Sequence, residues 1–232
     1  MAEAAASPNH RRRLRNILLS FLATLIFAAI LLVSAGSLAW FWGWMVIGVM
    51  LAANMAGVLI LDPGLMDERT GLKSGHKRWD VPLATLVGRL GPLAMSITSG
   101  LDFRFGWSEP FPTWLAVLGL VLLAFGNVLA LWAMRENQFF SSVIRIQEER
   151  GHHVIVTGPY RMVRHPGYLG SAVVLLAFPF ALTSYWALMP TAATILISVV
   201  RTALEDSTLR KELEGYPQYA QMVRYRLVPG VW

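Results

Sequence analysis

Cysteine is absent from this chain, and charge is scarce. Only 15% of the 232 residues are Asp, Glu, Lys or Arg, where a soluble domain carries about 25%. The first absence excludes disulfides, cysteine-ligated metals and thiolate nucleophiles, and leaves the redox compartment unread. The second is unevenly spread. No Asp, Glu, Lys or Arg occurs in the 46 residues from Asn16 to Leu61, nor in the 31 residues from Gly170 to Val200. A membrane-spanning helix needs about 20 apolar residues, so the first run is two spans, parted near Ser34-Ala35-Gly36-Ser37. A buried soluble core would require a charge-free helix far longer than ordinary globular ones. Several catalytic signatures are also missing: there is no H-E-x-x-H, no G-x-S-x-G, no P-loop and no G-x-G-x-x-G.

What is present is a series of apolar segments punctuated by short basic loops. Mean hydropathy is +0.50. The first fifteen residues, with Arg11, Arg12, Arg13 and Arg15, resemble the start of a signal peptide. The apolar stretch behind them is too long for one, so Ile17 to Val33 reads as a retained helix. Span one is expected over Ile17–Ser37 and span two over Trp40–Leu61, with Trp40, Trp42 and Trp44 as an interfacial belt. Asp62-Pro63-Gly64 stops it. Span three, Val81–Leu101, contains Arg89, Gly91 and Pro92, and span four runs from Thr113 to Met134. With no proline before Pro159, span four is expected to continue as helix to Gly151. His152 to Val156 reads as extended, followed by a Thr157-Gly158-Pro159 turn.

The stretch 170–200 would make roughly 46 Å of helix, too long for one span and short for two. Thr183-Ser184, flanked by Pro179 and Pro190, offers a break, so a tight helical hairpin is expected. Beyond it, helix to about Glu214 and an extended amphipathic tail follow. Charge placement supports six spans. The N-terminus, the 62–80 loop, the 135–168 segment and the tail then share one side and carry 4, 4, 5 and 5 Lys+Arg, or 18 of the 20. The positive-inside rule places that side, with both termini, in the cytoplasm. The net charge of +6 is therefore a mark of topology rather than of nucleic-acid binding. The fold class is all-α: a polytopic membrane bundle of about six spans, with 1–134 as the N-terminal spans and 135–232 as a separate core.

One polar turn stands out. "GPYRMVRHPGYLG", Gly158 to Gly170, opens the last apolar stretch. A hairpin over 170–200 would return the chain so that Tyr160, Arg161, Arg164, His165 and Tyr168 meet Arg201, Glu205 and Asp206 at one membrane face. Arg201 and Glu205, four apart, share a helix face. Ionisable groups at a bilayer edge point to function. The plainer alternatives are snorkelling anchors, a proline-started helix and an ordinary i,i+4 pair. His152 and His153 beside Glu148 and Glu149 could ligate a metal, but a polar segment end is the simpler reading, and no metal is expected. His10 and His76 read as solvated. Asn54, Asn127 and Arg89 sit within spans, where bonding between helices is the default.

The turn resembles the signature of the isoprenylcysteine carboxyl methyltransferase family and its relatives, the phospholipid and small-thiol membrane methyltransferases. The resemblance extends from Asn137 to Pro229 and includes "RTALEDSTLRKELEGYPQYAQMVRYRLVPG". It implies an S-adenosylmethionine pocket at the cytoplasmic face, walled by His153-Val154-Ile155-Val156, Tyr160 and His165-Pro166-Gly167-Tyr168. Glu205 matches a cofactor-binding glutamate, and Gln147, after a one-residue shift, a cofactor-contacting glutamine. Arg201 matches an arginine that meets the acceptor's carboxylate, and Asp206 fills the second acidic position. Arg201 and Glu205 are thus the expected catalytic pair. The implied partners are membrane lipids and a lipophilic or small methyl acceptor: a prenylcysteine-like carboxylate first, otherwise a lipid amine or small thiol. Two other readings remain open at this point. Sterol and steroid reductases carry a similar R-H-P-x-Y-x-G turn and bind nicotinamide, though their following N-Y-F-G-E is absent here. A non-catalytic membrane protein of the same fold is the other. Acceptor identity and oligomeric state are not encoded in any recognisable pattern.

Overall fold

A computed structural model describes residues 8–69 and 72–232. The start of the basic leader and the side chains of His10 and Arg11 lie outside the described residues. The chain is helical, with no strand among the described residues. Helix α1 is Pro8–Ala35 and α2 is Phe41–Ile60. A short α3, Pro63–Glu68, is capped by Asp62, whose carboxylate accepts from Gly64 N at 2.7 Å. Then come α4 (Asp80–Thr85), a π-helical turn (Leu86–Leu90) and α5 (Gly91–Phe105), continuous as one span. Pro92 lacks an N–H and crowds the preceding turn, and the wider turn before it absorbs that defect without ending the helix. Helix α6 is Thr113–Glu136, α7 is Pro166–Ala181, α8 is Leu188–Glu212 and α9 is Tyr216–Met222.

Five of these helices are long and apolar enough to cross a membrane, and α7 is a shorter apolar sixth. In hydrocarbon every backbone polar group must be satisfied within its own helix, which is why charge-free runs fold this way. Side chains such as Leu18, Leu59 and Leu196 face outward, as lipid contact allows. This is an integral membrane protein.

The bundle has two distinct polar ends. At one, Lys77 pairs with Glu212 at 2.6 Å, Arg145 with Glu68 at 2.8 Å, and Arg15 with Asp67. At the other, buried Asp102 accepts from Ser108 N at 2.9 Å and from the hydroxyls of Ser108 and Ser184 at 2.5 Å each. The second end contains the expected hairpin turn between α7 and α8. Thr183 there adopts φ 56°, and Ser184 Oγ accepts from Ala187 N at 3.1 Å to start α8.

Helices α6 and α7 touch backbone to backbone. A Cβ on Gly170 would sit 2.7 Å from Ala130 N and 2.8 Å from Gly126 O, and one on Gly126 2.8 Å from Gly170 O. Small residues replace absent hydrophobic force between membrane helices with close van der Waals contact. Asn54 bonds between helices as expected, donating to Thr24 Oγ1 at 2.9 Å. Asn127 instead donates mainly within its own helix, to Leu123 O at 2.8 Å.

Three expectations need correction. Trp40 is not interfacial: it is 1% exposed and stacks on Phe103 at 4.8 Å. Only Trp44 of the three is well exposed. Helix α6 does not continue to Gly151. Asn137 ends it by turning its side chain on the backbone: Oδ1 accepts from Phe139 N at 2.9 Å while Nδ2 donates to Tyr160 OH at 3.1 Å. The chain then runs irregularly to a single turn at Glu148–Arg150. The tail is not extended either, because Gly215 (φ 79°) and Pro217 stop α8 and start α9.

Candidate active site

The polar turn is locked from behind. His165 precedes α7, and Pro166 takes a first-turn position where its missing N–H costs nothing. The backbone N–H groups of Arg164 and His165 donate to Tyr225 O (2.9 Å) and Arg226 O (3.0 Å). The buried Arg164 guanidinium reaches Asp206 Oδ1 at 2.7 Å and the carbonyls of Val223 and Arg224 at 2.8 and 2.7 Å. Asp206, 1% exposed, also accepts from Tyr216 OH (2.9 Å), Arg210 Nε (3.0 Å) and Arg226 Nε (3.1 Å). His165 Nε2 lies 3.4 Å from the same carboxylate. One acid on α8 thus organises the turn, α9 and the tail. Sequence reading gave this role no weight. The spacing of Tyr216, Tyr219 and Ala220, which bury one face of α9, was the available hint.

The front of the turn meets α8 directly. Tyr168 OH donates to Glu205 Oε2 at 2.6 Å, joining residues 37 apart. Arg201 lies over the Tyr168 ring at 5.4 Å. It is already engaged by an acid from the first half of the chain: Nε and Nη2 donate to Asp80 at 2.6 and 2.9 Å, and Nη2 also to Ser142 O at 2.8 Å. Asp80 is fully buried, and its carboxylate also accepts from Ile144 N at 2.7 Å.

These residues surround a cavity of about 740 Å³, within the range of small-molecule sites. His153, Val154, Ile155, Tyr160, His165, Gly167, Tyr168, Arg201 and Glu205 all line it. The expected meeting of His165 with Glu205 at one hollow is therefore observed. Three expected wall residues do not line it. Pro166 is packed inside α7, and Val156 is exposed. Gln147 is fully buried, donating to Phe139 O at 2.7 Å and accepting from Arg150 at 2.5 Å. On the far wall stand Val81, Ala84, Gly88 and Pro92 from span three, a placement that no motif in the sequence signals.

Residues 114–214 match the sequence model of the phospholipid methyltransferase family. A protein-S-isoprenylcysteine O-methyltransferase of Xenopus laevis is 34% identical over 80 residues, 32% of this chain and 28% of the frog protein. A "probable protein-S-isoprenylcysteine O-methyltransferase" of Oryza sativa subsp. indica is 32% identical over 114 residues, 46% of this chain and 57% of the rice protein. A human protein-S-isoprenylcysteine O-methyltransferase is 32% identical over 80 residues, covering 28% of its length. Through this segment the chain is similar to the phospholipid methyltransferase family. It spans between about a quarter and three fifths of these relatives.

In and just beyond this segment burial holds one imidazole and three phenols in their neutral forms. His152 is pushed down to about 4, first by burial and then by His153 and nearby arginines. It stacks on Phe139 at 4.5 Å, and its Nδ1 accepts from Gln147 N at 3.2 Å. Burial likewise raises the phenols of Tyr160, Tyr216 and Tyr219. The cavity wall itself offers shape, arginines and the Glu205 carboxylate.

Proposed function

We propose that this protein is an integral-membrane methyltransferase that uses S-adenosylmethionine and modifies a lipophilic acceptor. The observation that carries this reading is the Tyr168–Glu205 bond of 2.6 Å across the mouth of the cavity. It joins the two family-like segments at one hollow. The residues present fit the donor. Val154 and Ile155 line the cavity, and their backbone N–H and C=O groups have no partner among the described residues. They would take the adenine edge. Glu205 would take the ribose hydroxyls or the ammonium, and Tyr160, His165 and Gly167 would pack on the remainder. When bound, the donor supplies an electrophilic methyl on a sulfonium.

The chain's task is then alignment and dryness rather than proton transfer. Asp206, through Arg164 and the tail carbonyls, keeps the His165–Tyr168 wall rigid. Arg201, buttressed by Asp80, shapes the wall beside Tyr168 and Glu205. The span-three wall would admit an apolar acceptor from the bilayer. A prenylcysteine-like carboxylate is the acceptor class favoured, by likeness to the named relatives. The site end carries the basic segments, so it faces the cytoplasm with both termini, where a water-soluble donor is available.

Calorimetric titration of the detergent-purified protein with S-adenosylmethionine, S-adenosylhomocysteine and NADPH tests the reading. Binding of the first two, weakened at least tenfold by Glu205→Ala, is expected. Heat with NADPH alone would replace it with a reductase.

A further inference from the structure

Of the five arginines that line the cavity, three are matched by acids; among the described residues the exposed Arg89 and the half-buried Arg69 are not. Arg164 has Asp206, Arg201 has Asp80, and Arg145 has Glu68 and Glu149. Arg69 lines the same cavity, yet its guanidinium has no hydrogen bond and no acidic partner among the described residues. Its one side-chain contact of note is the Phe140 ring, 5.1 Å away. Its position is nonetheless well fixed. It ends α3, with its N–H on Leu65 O at 3.2 Å. The neighbouring acid, Glu68, is fully occupied by Arg145 at 2.8 and 3.1 Å. Ser142 Oγ donates to Arg69 O at 2.8 Å and ties the 141–142 segment against it.

That segment holds a second unsatisfied donor. Ser141 Oγ is buried, without a partner among the described residues, and Ser141 lines the cavity. Burial and the nearby Arg201 both lower the Arg69 pKa, so the charge is costly where it stands, yet a guanidinium keeps its proton in a protein. A half-buried, unpaired cation and an idle hydroxyl lining one cavity make an anion cradle, since charge-assisted bonds to a planar guanidinium suit carboxylates. The apolar wall of Val81, Ala84 and Pro92 borders the same space, so the anion would arrive on a lipophilic carrier.

We propose that Arg69, assisted by Ser141, holds the carboxylate of the lipophilic acceptor and sets this protein's preference for an anionic head. Arg201 is then a positioning residue, its charge already answered by Asp80. The identity of that carboxylate as the acceptor's rests on the methyltransferase reading, whereas the anion site itself does not.

The test uses the full chain in non-ionic detergent, titrated with N-acetyl-S-decylcysteine and with its carboxamide. The wild type should bind the carboxylate at least tenfold more tightly than the amide. Arg69→Gln should erase that ratio, Arg69→Lys should keep part of it, and Ser141→Ala should reduce it severalfold. Affinity for S-adenosylhomocysteine, measured on the same samples, should stay within twofold, which also reports that each variant is folded. An undiminished ratio in Arg69→Gln overturns the proposal. So does loss of S-adenosylhomocysteine binding with the acid-to-amide ratio intact, which would assign Arg69 to the donor. Carboxylate preference without any donor binding would keep the anion site and remove the methyl-transfer reading. Donor binding with no carboxylate preference would do the reverse.

Discussion

Asp206→Ala should be among the most damaging single truncations at the site. The side chain is 1% exposed, and its main partner, Arg164, is 3% exposed. Removing one member of a buried ion pair strands the other, at a cost of about 3–5 kcal/mol. The pairs with Arg210 and Arg226, whose side chains are 40% and 31% exposed, add no more than about 1 kcal/mol each after solvent screening. At this chain length 1 kcal/mol shifts the unfolding midpoint by roughly 2–4 °C, so a fall of roughly 6–20 °C is expected. Thermal unfolding in detergent, followed by near-ultraviolet circular dichroism, reads it. Asp206→Glu keeps the charge and should recover more than half of the loss. An Arg164→Met, Asp206→Leu double variant leaves no stranded charge and should be less damaged than Asp206→Ala. A fall below about 3 °C for Asp206→Ala, or a double variant worse than the single, would show that the hub contributes little and that the turn is held by the tail's backbone bonds.

Other expectations can be checked with the same preparation. Arg201→Ala strands the fully buried Asp80, so it should lower the unfolding midpoint by an amount comparable to Asp206→Ala, with Arg201→Lys intermediate because it loses the two-pronged contact. Glycine 170 has no room for a side chain, and Gly170→Val should abolish monodisperse protein on size-exclusion chromatography, since the intruding Cβ meets backbone at 2.7 Å. Acid should act through His152. Its folded pKa of about 4 lies below the ordinary 6.5, so the unfolded chain binds the proton first. The neutral ring's contribution is complete above pH 6.5 and is lost as pH falls toward 4. His152→Phe keeps the stack on Phe139 and should flatten stability across that window; an unchanged slope would rule His152 out as its source.

Much of this architecture can be read from charge-free runs, because a membrane forces any such run to satisfy its own backbone as helix. The α7–α8 hairpin followed from a run of 31 residues that fits neither one span nor two. The meeting of His165 with Glu205 followed from the hairpin. What failed to show were pairings between distant residues. Nothing near Arg201 announces Asp80, 121 positions earlier, and nothing near Arg164 distinguishes Asp206 from Glu205. Local competition was missed as well: Asn137 ends α6 by bonding to its own neighbourhood, although every residue after it tolerates helix. Glycine 215 and Pro217 marked the start of α9 plainly, but a basic, tyrosine-rich tail masked them.

The tail's hold on the turn has a consequence for how the molecule is made. Arg164 and His165 find their backbone partners at Tyr225 and Arg226, some sixty positions later in the chain. The turn therefore closes only after that later segment has been made and has folded back on it. A chain cut short of Tyr225 would keep α7 and α8 yet leave the turn's two backbone donors without their acceptors.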